Sequence, residues 1–350
     1  MSSLITFVDC PNLQGRLEDV FCTGRPEDTP IINFLFSQFN NNGLLEQRAV
    51  PTRGKKRVVE LTYTPRVLES EVKSTVNRDC EAENKRGITS ELYDLDTGVG
   101  VEIEKTFDLT DLIDMCESND MYFARLVQDM IDGAKRKMET QAAVDLVANV
   151  GAFSTKDKDQ DGSAIADNLK IVSTKLSGGQ LNNRAHSAIM QTARLNAYCS
   201  APIVLGEYEI GNYYDDIKIG CCGDIGVDFS KITNEPLVIK SYRIPDALSD
   251  ANKFLTMSAG AAIPIWFNLY GGAMVNMAND DTNQATVITD VATGIPFDLR
   301  VTKFQVGTCT KVSVIIGLAW DLFYLPTGLY AVGDHLRGVN FINKNIVTNP

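Results

Sequence analysis

The chain has 350 residues, of which 44% are hydrophobic and 22% charged, and its formal net charge is -12 at pH 7. This composition is typical of a folded globular protein and excludes wholesale disorder. The acidic balance argues against a nucleic-acid-binding protein, because neutralising phosphates requires clustered Lys and Arg. No N-terminal stretch resembles a signal peptide, and no apolar run reaches the roughly 18 residues of a membrane span. We therefore expect a soluble chain, made in the cytosol, with no membrane partner.

Cysteine and histidine usage restricts the chemistry available to the chain. The 8 cysteines show no CxxC spacing, which favours free thiols. Only 2 histidines occur, His186 and His335, and neither lies in a nucleophile motif. An enzyme would need one of them beside Cys199, Cys309 or a serine, and the chain also lacks the glycine-rich motifs of nucleotide-binding loops. We predict that the chain is not an enzyme and uses no cofactor.

The first fifty residues are predicted to form an irregular arm. Prolines and glycines recur up to Pro30 and prevent long regular elements. After Pro30, the segment IINFLFSQFN has apolar residues at helical spacing, which predicts a short helix. Because this region has too little core to fold alone, we expect the arm to pack on another chain.

Two runs with strand-like alternation follow. KRVVELTYTPR alternates Val59, Leu61 and Tyr63 against polar residues, and GVGVEIEKTFDL alternates in the same way from Val99 to Phe107. The residues between the runs are rich in charge and lack an apolar face. The pattern predicts one long hairpin made by these two runs, with a polar tip. Since an isolated two-stranded ribbon is only marginally stable in water, a projecting one implies a partner.

A short basic cluster lies at the start of this ribbon and consists of Arg53, Lys55, Lys56 and Arg57. Its simplest interpretation is a solvated flank of a loop, and the alternative is a contact with an acidic neighbouring protein. We take these four residues as candidate inter-subunit contacts.

The strongest helix signal covers residues 120–150. Apolar residues recur at helical spacing from Phe123 to Val147, with charges predicted on the opposite face. Gly151 is a plausible C-terminal stop. A helix of this length would measure roughly 45 Å, which is longer than most compact domains accommodate. Heptads are not kept strictly and the segment is too polar for lipid, so the pattern predicts a helix that forms the spine of a larger structure.

The remainder of the chain predicts a mixed α+β fold. A second helix is expected around Ile189 and Ala193, and beyond Pro202 the pattern is one of short strands and turns. The run TKVSVIIGLAWDLFYLPTG is rich in β-branched and aromatic residues and predicts a buried strand. No internal repeat is visible.

This order of elements resembles that of the tailed-phage major capsid protein family, the Hong Kong 97 fold. The ribbon resembles the extended loop that lies across a neighbouring subunit. The long helix resembles the spine helix, and its ending AAVDLVANVGAF is similar to the usual closure of that helix. NEPLVIKSYRIPDALSDANKFLTMSAGAA resembles strands of the axial domain. VNMANDDTNQATVITDV and KVSVIIGLAWDLFYLPTG resemble the polar loop and paired strands that close the peripheral domain.

The resemblance implies a Hong Kong 97-type α+β capsid fold with five regions. These are an N-terminal arm (1–50), an extended β-ribbon loop (51–110), a peripheral domain with the spine helix (111–185), an axial domain (186–270), and closing strands with a C-terminal arm (271–350). It further implies a virion protein that is assembled in the host cytoplasm. Its copies would form pentamers and hexamers of an icosahedral shell enclosing double-stranded DNA. A scaffolding protein, a portal and decoration proteins are the expected partners. An encapsulin-like nanocompartment shell and a tail or minor shell protein are the alternatives.

An acidic stretch after the long helix resembles the opening of a calcium-binding loop. In KDKDQDGSAIADN, Asp157, Asp159 and Asp161 occupy alternate positions before Gly162, as in an EF-hand. Such a loop places a bidentate Glu at its twelfth position, where this chain has Asn168. The following segment also predicts a strand rather than a second helix. We interpret the stretch as a solvated turn and keep the three aspartates as the alternative, a calcium site.

Overall fold

The computed structural model of the protein describes residues 29–41, 45–50, 58–63, 89–95, 100–108, 119–148, 201–206, 236–241, 253–269, 283–324 and 339–343, together with nine single residues between 186 and 244. In this part of the chain the fold is a mixture of helices and strands, as predicted. The helices are α1 (Pro30–Asn41) and α2 (Asn119–Ala148). The strands are β1 (Leu45–Val50), β2 (Val58–Tyr63), β3 (Thr89–Asp94), β4 (Val101–Asp108), β5 (Ile203–Gly206), β6 (Leu237–Lys240), β7 (Lys253–Met257), β8 (Ala262–Phe267), β9 (Asn283–Thr289), β10 (Pro296–Val306), β11 (Cys309–Tyr324) and β12 (Val339–Asn343).

The long helix α2 is present where its apolar periodicity predicts a helix. It covers 30 residues, and its apolar stripe from Phe123 to Leu146 is buried. Gly133 lies inside the helix at its close approach to β4, since a Cβ at this position would lie 3.2 Å from the Cδ1 atom of Ile103. The close approach of β4 thus explains why glycine occupies this helical position despite its low helix propensity.

The main sheet lies against α2 and is antiparallel throughout. Its strand order is β4-β11-β10-β9, and β8 pairs with the second half of β11. β10 and β11 form a long hairpin that turns at Gly307, whose φ is +64°. Alternate residues of β11, including Val314, Ile316 and Leu318, are buried in the same core as α2. This period-2 burial confirms the predicted buried strand.

A small sheet with the order β1-β2-β3 contradicts the predicted ribbon pairing. β2 pairs with β1 and β3, whereas β4 pairs with β11, so the hairpin predicted between the two alternating runs is wrong. Alternation shows which face of a strand is buried, and it does not identify the neighbouring strand. Val59 and Leu61 of β2 are buried as predicted, in a second core cluster with Ile263 and Ile265 of β8.

Helix α1 packs within its own chain, so the expectation that residues 1–50 form an arm on another chain is wrong for this segment. Ile31, Ile32 and Leu35 are fully buried in the core that contains α2. The ring of Phe36 lies 5.2 Å from that of Trp266 on β8. α2 and β8 therefore bury the apolar face of α1, which the sequence predicts to pack on another chain. Residues 1–28 lie outside the described part.

A second sheet has the order β12-β7-β5-β6, in which β5 and β6 are parallel and the other pairs antiparallel. Leu205 and Leu255 of this sheet belong to the core cluster that contains α2. Of the predicted second helix, Ile189 and Ala193 are helical and buried, as expected. None of the described helices is long and apolar enough to cross a membrane.

Candidate functional site along the long helix

Both groups of predicted site residues lie outside the described residues. These are the basic cluster (Arg53, Lys55, Lys56, Arg57) and the calcium candidates (Asp157, Asp159, Asp161). Both therefore stay predictions. Among the residues that are described, no cluster of three or more His, Cys, Asp or Glu side chains is arranged to hold a metal ion.

The residues weighed for catalysis are only partly described. His186 is half-buried, and its Nδ1 atom lies 3.2 Å from the hydroxyl of Tyr214. Cys309 is a half-buried free thiol at the start of β11. His335 and Cys199 lie outside the described residues. His186 therefore contacts an aromatic hydroxyl.

The buried side of α2 carries charged residues, although the sequence predicts charges on the exposed side. Lys135 is 3% exposed and Glu139 is 0% exposed, so the expectation of charges only opposite the apolar stripe is wrong for these two residues. They follow Ile131 by four and eight positions, a spacing that keeps them on one face of a helix. Because α1 and the main sheet cover α2 from two sides, the buried arc is wider than the apolar stripe. The helical spacing could have located both residues.

Glu139 joins α2 to the first turn of α1. Its Oε1 atom accepts a hydrogen bond from the backbone N–H of Ile31 at 3.1 Å, and its Oε2 atom accepts one from Ile32 at 2.8 Å. The hydroxyl of Ser241, just after β6, also donates to Oε1 at 3.3 Å. The carboxylate therefore satisfies N–H groups that would have no partner within α1. Burial raises the pKa of Glu139 to about 7, although these hydrogen bonds and the charge of Arg243 act in the opposite direction.

Lys135 joins α2 to the turn between β9 and β10. Its Nζ atom lies 3.2 Å from Oδ2 of Asp290, which is itself buried, and 3.8 Å from Oδ1 of Asp132. The same Oδ2 atom of Asp290 accepts hydrogen bonds from the N–H and the hydroxyl of Thr293, at 3.0 and 2.5 Å. Gly294, with a φ of +71°, completes this turn. One carboxylate thus shapes the turn and binds the helix.

The second half of α2 is hydrogen-bonded to β11 and to the residue before β4. Gln141 donates from Nε2 to the carbonyl of Gly100 at 3.0 Å and accepts at Oε1 from the indole N–H of Trp320 at 3.2 Å. The hydroxyl of Tyr324 donates to Asp145 at 2.8 Å. A groove of about 390 Å³ lies between the second half of α2 and β11. Together with Lys135 and Glu139, these side chains fix α2 to five other segments of the chain: α1, the residue after β6, the β9–β10 turn, the residue before β4, and β11.

Several large apolar side chains are exposed on separate elements. Leu92 on β3 is 65% exposed, and Val144 on α2 is 54% exposed. Phe304 and Val306, at 39% and 52%, lie together near the tip of the β10–β11 hairpin. Single exposed apolar side chains of this kind are normal on a protein surface and do not by themselves indicate a site.

Comparison with known proteins gives matches among solved structures alone. No protein-family model matches the chain, and no curated protein matches it. A capsid of Ralstonia phage GP4 is 10% identical, with a TM-score of 0.40 and 87% of each chain covered. The structure from Mycobacterium phage Che8 is 13% identical, with a TM-score of 0.36 and coverage of 85% of this chain and 92% of the other.

An encapsulin also matches. The SrpI encapsulin complex from Synechococcus elongatus is 12% identical, with a TM-score of 0.41 and coverage of 75% of this chain and 78% of the other. Capsid structures of bacteriophage PhiM1 and cyanophage P-SCSP1u match as well, at TM-scores of 0.38 and 0.41.

Proposed function

We propose that the chain is the major capsid protein of a tailed bacteriophage, with a structural rather than a catalytic role. The observation that carries this proposal is the arrangement of the chain around α2. The helix lies on a sheet that combines β4, which precedes it, with β8 to β11, which come more than a hundred residues later. A second sheet is formed by the intervening segments and by β12. Such a two-part subunit with a long helix is what the resemblance to the Hong Kong 97 fold implies.

The described elements suggest how the regions of this fold are distributed. We assign α2 and the main sheet to the peripheral domain and the sheet of β5, β6, β7 and β12 to the axial domain. The small sheet of β1 to β3 would form the base of the extended loop. Because β4 lies in the main sheet, the extended loop would end before Val101 and not at residue 110.

Assembly is the function that this architecture serves best. The buried hydrogen bonds of α2 hold the subunit in one shape. Identical subunits most commonly assemble with closed symmetry. We infer that the copies form pentamers and hexamers of an icosahedral shell around double-stranded DNA. The net charge of -12 suits a container that must not adhere to its contents. A scaffolding protein, a portal and decoration proteins would be its partners, and the shell would be assembled in the host cytoplasm.

Electron microscopy and sedimentation of the purified full chain test this function. Pentamers, hexamers or closed shells are the expected result. Shells that hold a protein cargo and no DNA during infection would identify an encapsulin-like compartment instead. A low copy number in purified virions would indicate a tail or minor shell protein. A well-folded monomer that persists at high concentration would contradict the proposal.

A further inference from the structure

The β10–β11 hairpin extends beyond the strands that flank it in the main sheet. In the described part of the chain, β9 accompanies β10 only as far as Thr302, and β4 accompanies β11 only from Lys311 onwards. Residues 303–306 and 309–310 therefore have a paired strand on one side only. Since an isolated two-stranded ribbon is only marginally stable in water, this projecting end would gain stability from a partner surface.

One face of the hairpin end carries four neighbouring side chains, Phe304, Val306, Cys309 and Lys311, which we call the tip patch. Phe304 is in register with Lys311, and Val306 with Cys309. Residues in register on antiparallel strands lie side by side on the same face of a sheet. Phe304 and Val306 are 39% and 52% exposed, and the other two side chains are half-buried. The tip patch thus combines an aromatic ring, an aliphatic group and a cation on one continuous surface.

The hairpin end is basic, although the chain as a whole is acidic. Residues 299–311 include Arg300, Lys303 and Lys311 and no Asp or Glu. Asp108 on β4 is in register with Lys311, but within the described residues neither Lys303 nor Lys311 forms an ion pair. A surface that receives this end should therefore offer apolar contacts together with carboxylates.

The groove between the second half of α2 and β11 offers the apolar contacts. Its volume of about 390 Å³ lies within the range of roughly 300–1,000 Å³ that is usual for binding pockets. Its apolar lining comes from Val144, Trp320 and Leu322. The groove can therefore take up an apolar side chain from outside the subunit.

The same groove is also acidic. Asp145 and Asp321 line it, and each accepts a hydrogen bond from a tyrosine hydroxyl, at 2.8 and 2.6 Å. These uncharged donors hold the two carboxylates in place without cancelling their charge. Lys137, about two turns before Val144 on α2, is the cation in the lining. Two carboxylates against one ammonium group complement the basic hairpin end.

The tip patch cannot enter the groove of its own subunit. Cys309 and Trp320 belong to the same continuous strand, β11. At about 3.4 Å per residue, the two residues are roughly 35 Å apart. The tip patch and the groove therefore lie at opposite ends of β11, and the groove is within reach of the tip patch of another copy only.

We propose that the tip patch of one copy docks into the groove of a second copy, with the ring of Phe304 placed against Trp320 and Val144. This inference rests on the proposed function, because it names a contact through which copies of the chain would assemble. Each copy would use its tip patch towards one neighbour and its groove towards another. Such a head-to-tail contact closes into a ring when the rotation between copies permits it.

Photo-cross-linking of the assembled full chain tests the docking. The photoreactive analogue p-benzoylphenylalanine takes the place of Phe304, and mass spectrometry identifies the cross-linked peptides in a mixture of isotope-labelled and unlabelled copies. We expect cross-links between copies to residues 140–148 or 320–322. The same analogue at Leu92, which is 65% exposed on β3, is the control and should not give these products. Assembled copies whose cross-links lie only elsewhere would overturn the docking and leave the proposed function intact, whereas a persistent monomer would overturn both.

A groove variant separates loss of the contact from loss of the fold. Val144→Asp places a carboxylate within the apolar contact, so the yield of these cross-links should fall about tenfold or more when all copies carry it. Leu92→Asp is the matched control and should leave the yield unchanged. When copies that carry both the Phe304 analogue and Val144→Asp are mixed with wild-type copies, the cross-link should return, because the wild-type copies supply an intact groove. An unchanged yield in pure Val144→Asp, or no recovery in the mixture, would contradict the head-to-tail contact.

Discussion

Lys135 shows how one residue inside the core binds two elements together. It connects α2 with the turn at Asp290, and both side chains are almost completely buried. Such a pair is costly to bring out of water, and removing one partner is more costly still, because the other charge is left buried without compensation.

We expect Lys135→Met to destabilise the unassembled subunit by about 3 kcal/mol. The reason is that Asp290 keeps its charge and loses its cation, although methionine fills a similar volume. Urea unfolding at pH 7 gives the free energy of unfolding. Lys137→Met is the matched control, because Lys137 is exposed on the same helix and its loss should change stability by less than about 0.5 kcal/mol. Equal effects of the two substitutions would show that the buried pair contributes nothing.

Gly100 is a second residue whose identity is dictated by its surroundings. Its φ is +144°, and a Cβ at this position would lie 2.8 Å from the carbonyl oxygen of Leu318. We expect Gly100→Ala to destabilise the subunit by more than about 2 kcal/mol, since the backbone strain and the clash add together. Thermal unfolding measures this loss.

Gly294 provides the control for Gly100. Its φ of +71° is also positive, although less unfavourable for alanine than +144°, and nothing lies within 4 Å of the added Cβ. Gly294→Ala should therefore lower the free energy of unfolding by about 1 kcal/mol, which reflects the backbone strain without a clash. If both substitutions lower the melting temperature by the same amount, the contact with Leu318 has no energetic role.

At the scale of elements, the small sheet is held to the body of the subunit through one face. Leu61, fully buried on β2, packs in the cluster that contains Ile265 and Phe323. We expect Leu61→Ala to cost about 2–5 kcal/mol and to loosen the small sheet selectively. Hydrogen exchange should show reduced protection of β2 amides and unchanged protection of α2. Leu92→Ala, at a side chain that is 65% exposed, is the control and should leave both unchanged. A uniform loss of protection in Leu61→Ala would show that the sheet does not open on its own.

The elements differ in how far the sequence predicts them. The 3.6-residue period of α2 extends over many turns and predicts the helix to within about two residues of its observed ends. Alternation predicts the strands β2 and β4 but not their partners, because it carries no information on pairing. The sequence predicts Lys135 and Glu139 to face solvent, since charged residues are rarely buried unless paired. Their partners, Asp290 and the start of α1, are more than a hundred positions away, so no local pattern indicates which groups pair with these two residues.

At the scale of the whole molecule, the two larger sheets share one core with α1 and α2, so the described part of the subunit forms a continuous body. Copies of an acidic chain repel one another, and each carries a formal charge of -12. The proposed assembly would therefore require contacts that offset this repulsion. The basic cluster at residues 53–57 is the predicted source of such contacts. Charge-reversal substitutions can test this role.

We expect Lys55→Glu combined with Lys56→Glu to leave the subunit folded and to reduce assembly at least tenfold, because an attraction to an acidic neighbour becomes a repulsion. Sedimentation at equal protein concentration gives the fraction of assembled chains, and circular dichroism verifies the fold. Raising the salt concentration should partly restore assembly, since it screens the repulsion between exposed charges. Lys105→Glu combined with Lys137→Glu changes the net charge by the same amount at exposed positions in β4 and α2. If that control reduces assembly equally, net charge and not the cluster is responsible, and if the first variant assembles normally, the cluster is only the solvated flank of a loop.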